Sequence, residues 1–372
     1  MLQRSLVIPV FTLLLFCLTN SIAWAAPIIT SFAPVKGVAG TVVTITGSDL
    51  NGITTVAFNG VPVKAFGSNS ATSLFVLVPE GITSGKITMS NASGSAISVT
   101  DFVVRLDLMN NSKDGAAMVW VPGATFTMGS AAGVGFDDEH PAHQVTLSGY
   151  WIYQYDVTVA QYRTFCADTA RALPNFPQPK VDVGADSDYS WAGKTGWDDP
   201  ALQQHPIVNV NWENAKAYAN WAGVKLPTEA QWEYAVSGPR RNNYPWGGTA
   251  TKDDNTNGWD NTKCANYVNS HKVGKSTWPV GSFPAGASWC GAQDMAGNVW
   301  QWCGDWYSSY TTAAVTDPTG PATGKYRVMR GGSWVVDLEV GFNRSAIRNY
   351  GNPGDYYIGV GFRCAVIAPG PK

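Results

Sequence analysis

Asp294-Met295-Ala296-Gly297-Asn298-Val299-Trp300-Gln301-Trp302 decides how this chain is read, together with Arg330-Gly331-Gly332-Ser333-Trp334 and Gly361-Phe362-Arg363-Cys364-Ala365 further on. The three segments are rich in glycine, tryptophan and arginine, and the whole chain shares that bias. Its 39 glycines, 16 tryptophans, 15 tyrosines and 14 phenylalanines in 372 residues suit a loop-rich fold whose core depends on large rings with polar handles. No helix-strand alternation of the doubly wound kind is present, so the larger part of the chain is expected to be irregular α+β.

Outward from those segments, two capping boxes mark helices. Thr158-Val159-Ala160-Gln161 puts Val159, Tyr162, Phe165 and Cys166 on one face, and Thr228-Glu229-Ala230-Gln231 opens a second helix that Gly238-Pro239 stops. Between them Asn211 caps a helix carrying Ala215, Tyr218 and Trp221-Ala222. Residues 27–104 read differently. Val43–Thr46, Thr55–Phe58, Leu74–Val78, Lys86–Met89 and Ile97–Val99 are short β-branched or alternating runs, and Asn59-Gly60 is a hairpin turn. Such spacing predicts an all-β sandwich. The polar stretch 105–117 breaks both patterns and is taken as the linker, leaving 118–368 as the second module.

The N-terminus reads as an export signal occupying residues 1–25: Arg4, the apolar run Leu6 to Leu18, and Ala23-Trp24-Ala25 as the cleavage site. The run is shorter than the ~20 residues of a membrane span and contains Pro9, so no span is expected in the mature chain. A secreted or periplasmic protein follows. A net charge of −2 with 14% charged residues excludes the broad basic face of a nucleic-acid binder. Without Cys17 the chain keeps Cys166, Cys264, Cys290, Cys303 and Cys364, an odd number for an oxidising compartment. Their connectivity stays open, with Cys264–Cys290 the preferred bridge.

The three opening segments, with the entrance Met118–Gly123 and Phe126–Ser130, resemble the formylglycine-generating enzyme (sulfatase-modifying factor) family. The resemblance implies an irregular fold related to C-type lectins. The pattern Ile29 to Pro34, Gly37, Gly40, Val43–Gly47 and Phe58-Asn59-Gly60 likewise resembles the immunoglobulin-like TIG (IPT) family, whose exported members serve as spacers or adhesive modules. The first resemblance also implies two copper-binding cysteines, three residues after Ser333 and five further on. Val336 and Gly341 stand there. Neither offers a thiolate, and copper(I) needs soft ligands, so formylglycine generation is not expected. The family's common cysteine partner for Cys364 is matched here by Ala219.

Trp300, Ser333 and Trp334 match positions that line the family's peptide-binding cleft, and Arg344 and Arg348 follow closely. Two readings stand side by side. In one, these residues hold a peptide or glycan, the arginines gripping a carboxylate; in the other, the tryptophans are core and the arginines buried ion-pair anchors. The resemblance further implies a calcium site at Asp294, Gly297, Val299 and Gln301, weakened because Gln301 replaces a glutamate. A second family calcium site at Asn266 and Tyr267 has Lys272 where an acid is needed and is not expected. Asp253–Gly258 is half an EF-hand loop, but Cys264 occupies the position of its bidentate glutamate. Iron at His140 and His143, as in the related sulfoxide synthases, is not expected, because those enzymes take histidines from a helical domain absent here. The sequence therefore predicts an exported non-catalytic binding homologue, with a superfamily oxidoreductase using copper or non-haem iron as the alternative.

Overall fold

A computed structural model describes residues 25–37, 41–64, 66–79, 82–104, 108–177, 191, 194–248, 263–264, 276–334 and 343–370. The export signal before residue 25, the pair Val336 and Gly341, the segment 253–258 and the positions Asn266, Tyr267, His271 and Lys272 lie outside the described residues.

The first module is a two-sheet sandwich. One sheet runs Ile28–Ala33, Val42–Ser48, Ser73–Leu77, Phe66–Ser70; the other runs Lys36–Gly37, Gly94–Val104, Gly85–Asn91, Thr55–Phe58, Val61–Pro62. The predicted strands fall inside these elements except that Leu74–Val78 runs one residue past the observed Ser73–Leu77. Period-two alternation sends Val43, Ile45, Val56, Phe58, Leu74, Val76, Ile87 and Met89 into one core. The Asn59-Gly60 turn has positive φ at both residues, 44° and 83°, as a two-residue hairpin of matching twist requires.

Among the described residues the second module carries three small sheets and three α-helices. One sheet orders Leu108–Asn110, Ala117–Val121, Tyr150–Tyr153 and Ala365–Val366; a second joins Ala124–Met128, His143–Leu147 and Val315–Thr316. The third orders Asn349–Gly351, Arg327–Arg330, Trp300–Trp306 and Val360–Gly361. Helices α1 (Val159–Thr169), α2 (Trp212–Trp221) and α3 (Glu229–Ser237) start at Thr158, Asn211 and Thr228, each side chain accepting from the backbone N–H three residues on. Both capping boxes form as expected, and α1 buries Val159, Tyr162, Phe165 and Cys166. Gly238 ends α3 at φ 65°.

The linker reading needs correction. Leu108–Asn110 pairs with Ala117–Val121, so the second module begins before residue 118. Asn111 Nδ2 donates to Ala222 O at 3.0 Å, and Asp114 Oδ2 accepts from both Tyr153 and Tyr218 hydroxyls, at 2.7 and 2.6 Å. Two of the polar residues that look like a loop in sequence are internal anchors, Asn111 for a helix-end carbonyl and Asp114 for two tyrosine hydroxyls. The preferred Cys264–Cys290 bridge is also absent: Cys290 Sγ lies against Ser288 Oγ and Ala235 O, and Cys264 Sγ against Asn343 Nδ2. Cys364 and Ala219 meet in the same aromatic core, both essentially unexposed.

Candidate functional site

The loop from Asp294 to Asn298 and the turn Gly331-Gly332 carry the site. Left-handed φ values at Asp294 (55°), Gly297 (79°) and Asn298 (60°), and at Gly331 (101°) and Gly332 (76°), fold these segments against each other. Asparagine and aspartate tolerate that region best after glycine. Gly297 N donates to Gly331 O at 2.7 Å and Trp334 N to Asn298 O at 3.0 Å, so the two segments are stitched through backbone. Asn298 completes the frame by exchanging two side-chain bonds with the backbone of Trp278, at 3.0 and 3.1 Å.

Beneath this turn sits Gln301, fully buried. Its Oε1 accepts from Trp232 Nε1 at 2.6 Å and Arg363 Nε at 2.7 Å, and its Nε2 donates to Asp294 O at 2.7 Å. Arg363 in turn donates to Tyr153 O, Gln154 O, Gln293 O and Asp156 Oδ1. This donor set does not fit the calcium ligand that the resemblance implies at Gln301. An oxygen already facing two N–H donors, one of them a guanidinium, cannot also face a cation. Asp294 Oδ2 accepts from Gly281 N at 2.7 Å, and burial pushes the Asp294 carboxyl up to about 6. Asp294 with the carbonyls of Gly297 and Val299 would supply only part of the six to eight oxygens that calcium collects, the rest having to come from water. The four residues do come together, but as a hydrogen-bond hub.

The five residues assigned to ligand binding are placed as follows. Trp300, Ser333 and Trp334 are buried at 5%, 3% and 0% exposure. Trp334 packs edge-on against Trp191 at 5.7 Å, and Trp191 continues into Trp197 and Phe176. The Ser333 hydroxyl is buried without a hydrogen-bond partner and lies at the start of the stretch leading to Val336. Arg344 and Arg348 resolve to the second of the two readings. Arg344 Nη1 donates to Glu139 Oε2 at 2.9 Å and its Nη2 to Oε1 of the same carboxylate. Arg348 grips Glu229 bidentately at 2.7 and 2.9 Å, with Tyr310 and Tyr307 rings 3.9 and 4.5 Å from its guanidinium carbon. Both are spent on carboxylates of this chain, so they anchor the fold and do not reach a ligand.

Burial alone would raise the Glu139 carboxyl, but the hydrogen bonds and charge of Arg344 outweigh it and hold it below its ordinary value. Glu229 is likewise lowered, burial being overcome by Arg348 and Arg330. Glu233 is raised by burial despite bonds from Arg330 Nη2 and Gly129 N. Sequence reading missed these carboxylates because each stands far from its arginine in the chain. Burial raises the thiols of Cys166, Cys290, Cys303 and Cys364 above the ordinary value and so disfavours their thiolates. His143 Nδ1 lies 3.2 Å from Pro141 O with its ring against Tyr310. Among the described residues no three His, Cys, Asp or Glu side chains converge as a metal would require.

The described part of the second module is thus a Gly- and Trp-rich α+β arrangement of three sheets around a buried Arg-Gln-Trp hub, following a β-sandwich in the chain. The chain belongs to the sulfatase-modifying factor enzyme 1-like domain family, which matches residues 105–368, and an IPT/TIG domain matches residues 27–103. It is 36% identical over 282 residues to a formylglycine-generating enzyme of Streptomyces coelicolor, covering 66% of this chain and 88% of that protein. It is 33% identical over 264 residues to the hercynine oxygenase of Mycolicibacterium smegmatis, covering 63% of this chain and 58% of that one. Among solved structures, PvdO from Pseudomonas aeruginosa superposes with a TM-score of 0.53 at 26% identity, covering 69% of this chain and 97% of that one. Relatives of this fold thus carry different chemistries, and the chemistry must be argued from the site.

Proposed function

We propose that this is an exported, non-catalytic member of the family, whose second module offers a rigid cleft to a peptide or glycan. The observation that carries it is Val336 and Gly341 at the two positions where the family resemblance implies copper-binding cysteines. An aliphatic side chain and a bare Cα supply no soft ligand, so the residues present do not fit copper. The frame around those positions keeps its stitched turns and its Gln301 hub, and the unpartnered Ser333 hydroxyl supports a retained polar contact at the cleft. The apolar-led segment at residues 1–25 supports export, and no helix among the described residues is long and apolar enough to cross a membrane.

The test is incubation of the purified chain with copper, oxygen and a Cys-x-Pro-x-Arg peptide, read by mass spectrometry. The expected result is an unchanged peptide, and conversion of its cysteine to an aldehyde would falsify the reading. The alternative, a superfamily oxidoreductase using another metal, draws support from the hercynine oxygenase relative alone. Stoichiometric iron or copper retained after dialysis favours that alternative.

A further inference from the structure

The strand Trp300–Trp306 connects two places. Its first residue is the buried Trp300, and its last three reach a cavity of about 520 Å³, on the order of 20 Å away at ~3.3 Å per residue. The cavity lies between α2, the segment before α3 and residues 319–322, and its volume is in the usual range for small-molecule sites.

Its charge is one-sided. Lys216, Lys225 and Arg327 line it, and none of the three has a carboxylate oxygen within ion-pair distance among the described residues. Glu213 and Asp305 attract Arg327 only at longer range. Asp305, the only acid in the lining, is 5% exposed and already accepts the Glu229 N–H at 2.9 Å.

The arginine is also pre-oriented. Its guanidinium carbon lies 3.5 Å from the Trp212 ring centre and 3.4 Å from that of Trp306, between two indoles stacked at 22°. Nη1 donates to Gly304 O at 2.7 Å, while Nε is buried with no hydrogen-bond partner. The Lys216 ammonium stands 4.9 Å from the outer neighbour Trp212. A planar fork fixed in this way loses little freedom when it meets a planar anion. Leu226 and Pro321 supply apolar wall beside it.

We propose that this cavity binds a small organic carboxylate, its anionic end held by Lys216, Lys225 and Arg327 and its carbon body against the Leu226 and Pro321 wall. The site is independent of the Ser333 cleft and of the fate of the copper positions.

Isothermal titration of the full chain at low salt tests it, with glucuronate and benzoate as probes and glucose and benzamide as their uncharged counterparts. Lys216 and Lys225 are exposed, so Lys216→Glu/Lys225→Glu keeps the fold, which an unchanged melting temperature verifies. At least one acid is expected to bind about tenfold tighter than its neutral counterpart, to weaken about tenfold in the double variant, and to weaken with added salt. Preference for glucuronate points to acidic saccharides and preference for benzoate to aromatic acids. Equal binding of acid and neutral probe, no binding of either acid, or a double variant that binds like the wild type overturns the proposal.

Discussion

Replacing Arg344 by methionine separates the two readings of that arginine. In the structure it is 1% exposed and makes both of its carboxylate bonds to Glu139, which is fully buried. Removing the guanidinium leaves Glu139 with only Ser130 Oγ and Phe136 N as partners. Stripping one partner from a buried pair costs about 3–5 kcal/mol, which for a domain of this size lowers Tm by ~10 °C. The pH dependence gives a sharper readout. In the wild type the Glu139 pKa is held below 4.5, so the pair's stabilisation is full above that value and is lost as pH falls through the depressed folded pKa. In Arg344→Met burial acts without its main counterweight, only the Ser130 and Phe136 bonds remaining, and is expected to raise the Glu139 pKa above its unfolded value, so the variant gains from protonation as pH falls. The Tm deficit, followed by calorimetry from pH 7 to pH 4, is therefore expected to shrink on acidification. A variant with native Tm at every pH, but weakened peptide or glycan binding, refutes the buried-anchor assignment and returns Arg344 to an open cleft.

Chelation by EDTA is expected to leave the Tm of the second module unchanged, because Gln301 Oε1 is already held by Trp232 and Arg363; a drop restored by calcium contradicts this. Thr158→Ala and Thr228→Ala each remove an N-cap acceptor and should each cost about 1 kcal/mol in denaturant unfolding, with unchanged m-values. Asp305 is pushed up to about 7, burial being the main cause and Glu229 the second, so its folded pKa exceeds its unfolded one. Stability linked to it is present at low pH and is lost as pH rises toward 7; Asp305→Asn should flatten that decline in a Tm series from pH 4 to 8, and a parallel series argues against the raised pKa.

Local chemistry was legible in the sequence and long-range pairing was not. Both capping boxes, the α1 core face and the Asn59-Gly60 hairpin depend on residues within a few positions of each other, so their spacing reveals them. Asn111 and Asp114 read as linker because polar residues usually face water; here they serve tyrosine hydroxyls and a carbonyl up to 111 residues away. The arginine roles hinge on Glu139 and Glu229, separated from their partners by 205 and 119 residues. Gln301 was read through the glutamate it replaces, whereas its neutral amide does what a carboxylate could not: it accepts from Arg363 and Trp232 while donating to the Asp294 carbonyl.

The placement of the last strands fixes the order in which the chain can mature. Val360–Gly361 and Ala365–Val366 complete sheets begun at Trp300 and at Leu108, and Arg363 between them ties Gln301 to Asp156. The amino-terminal sandwich closes its own core by residue 104 and can settle while synthesis continues. The larger module cannot, since Arg363 and the two strands beside it are made after nearly all of the elements they tie together. A nascent chain stalled before Arg363 should have a native first module and a protease-sensitive second one, and extension past Val366 should make the second resistant.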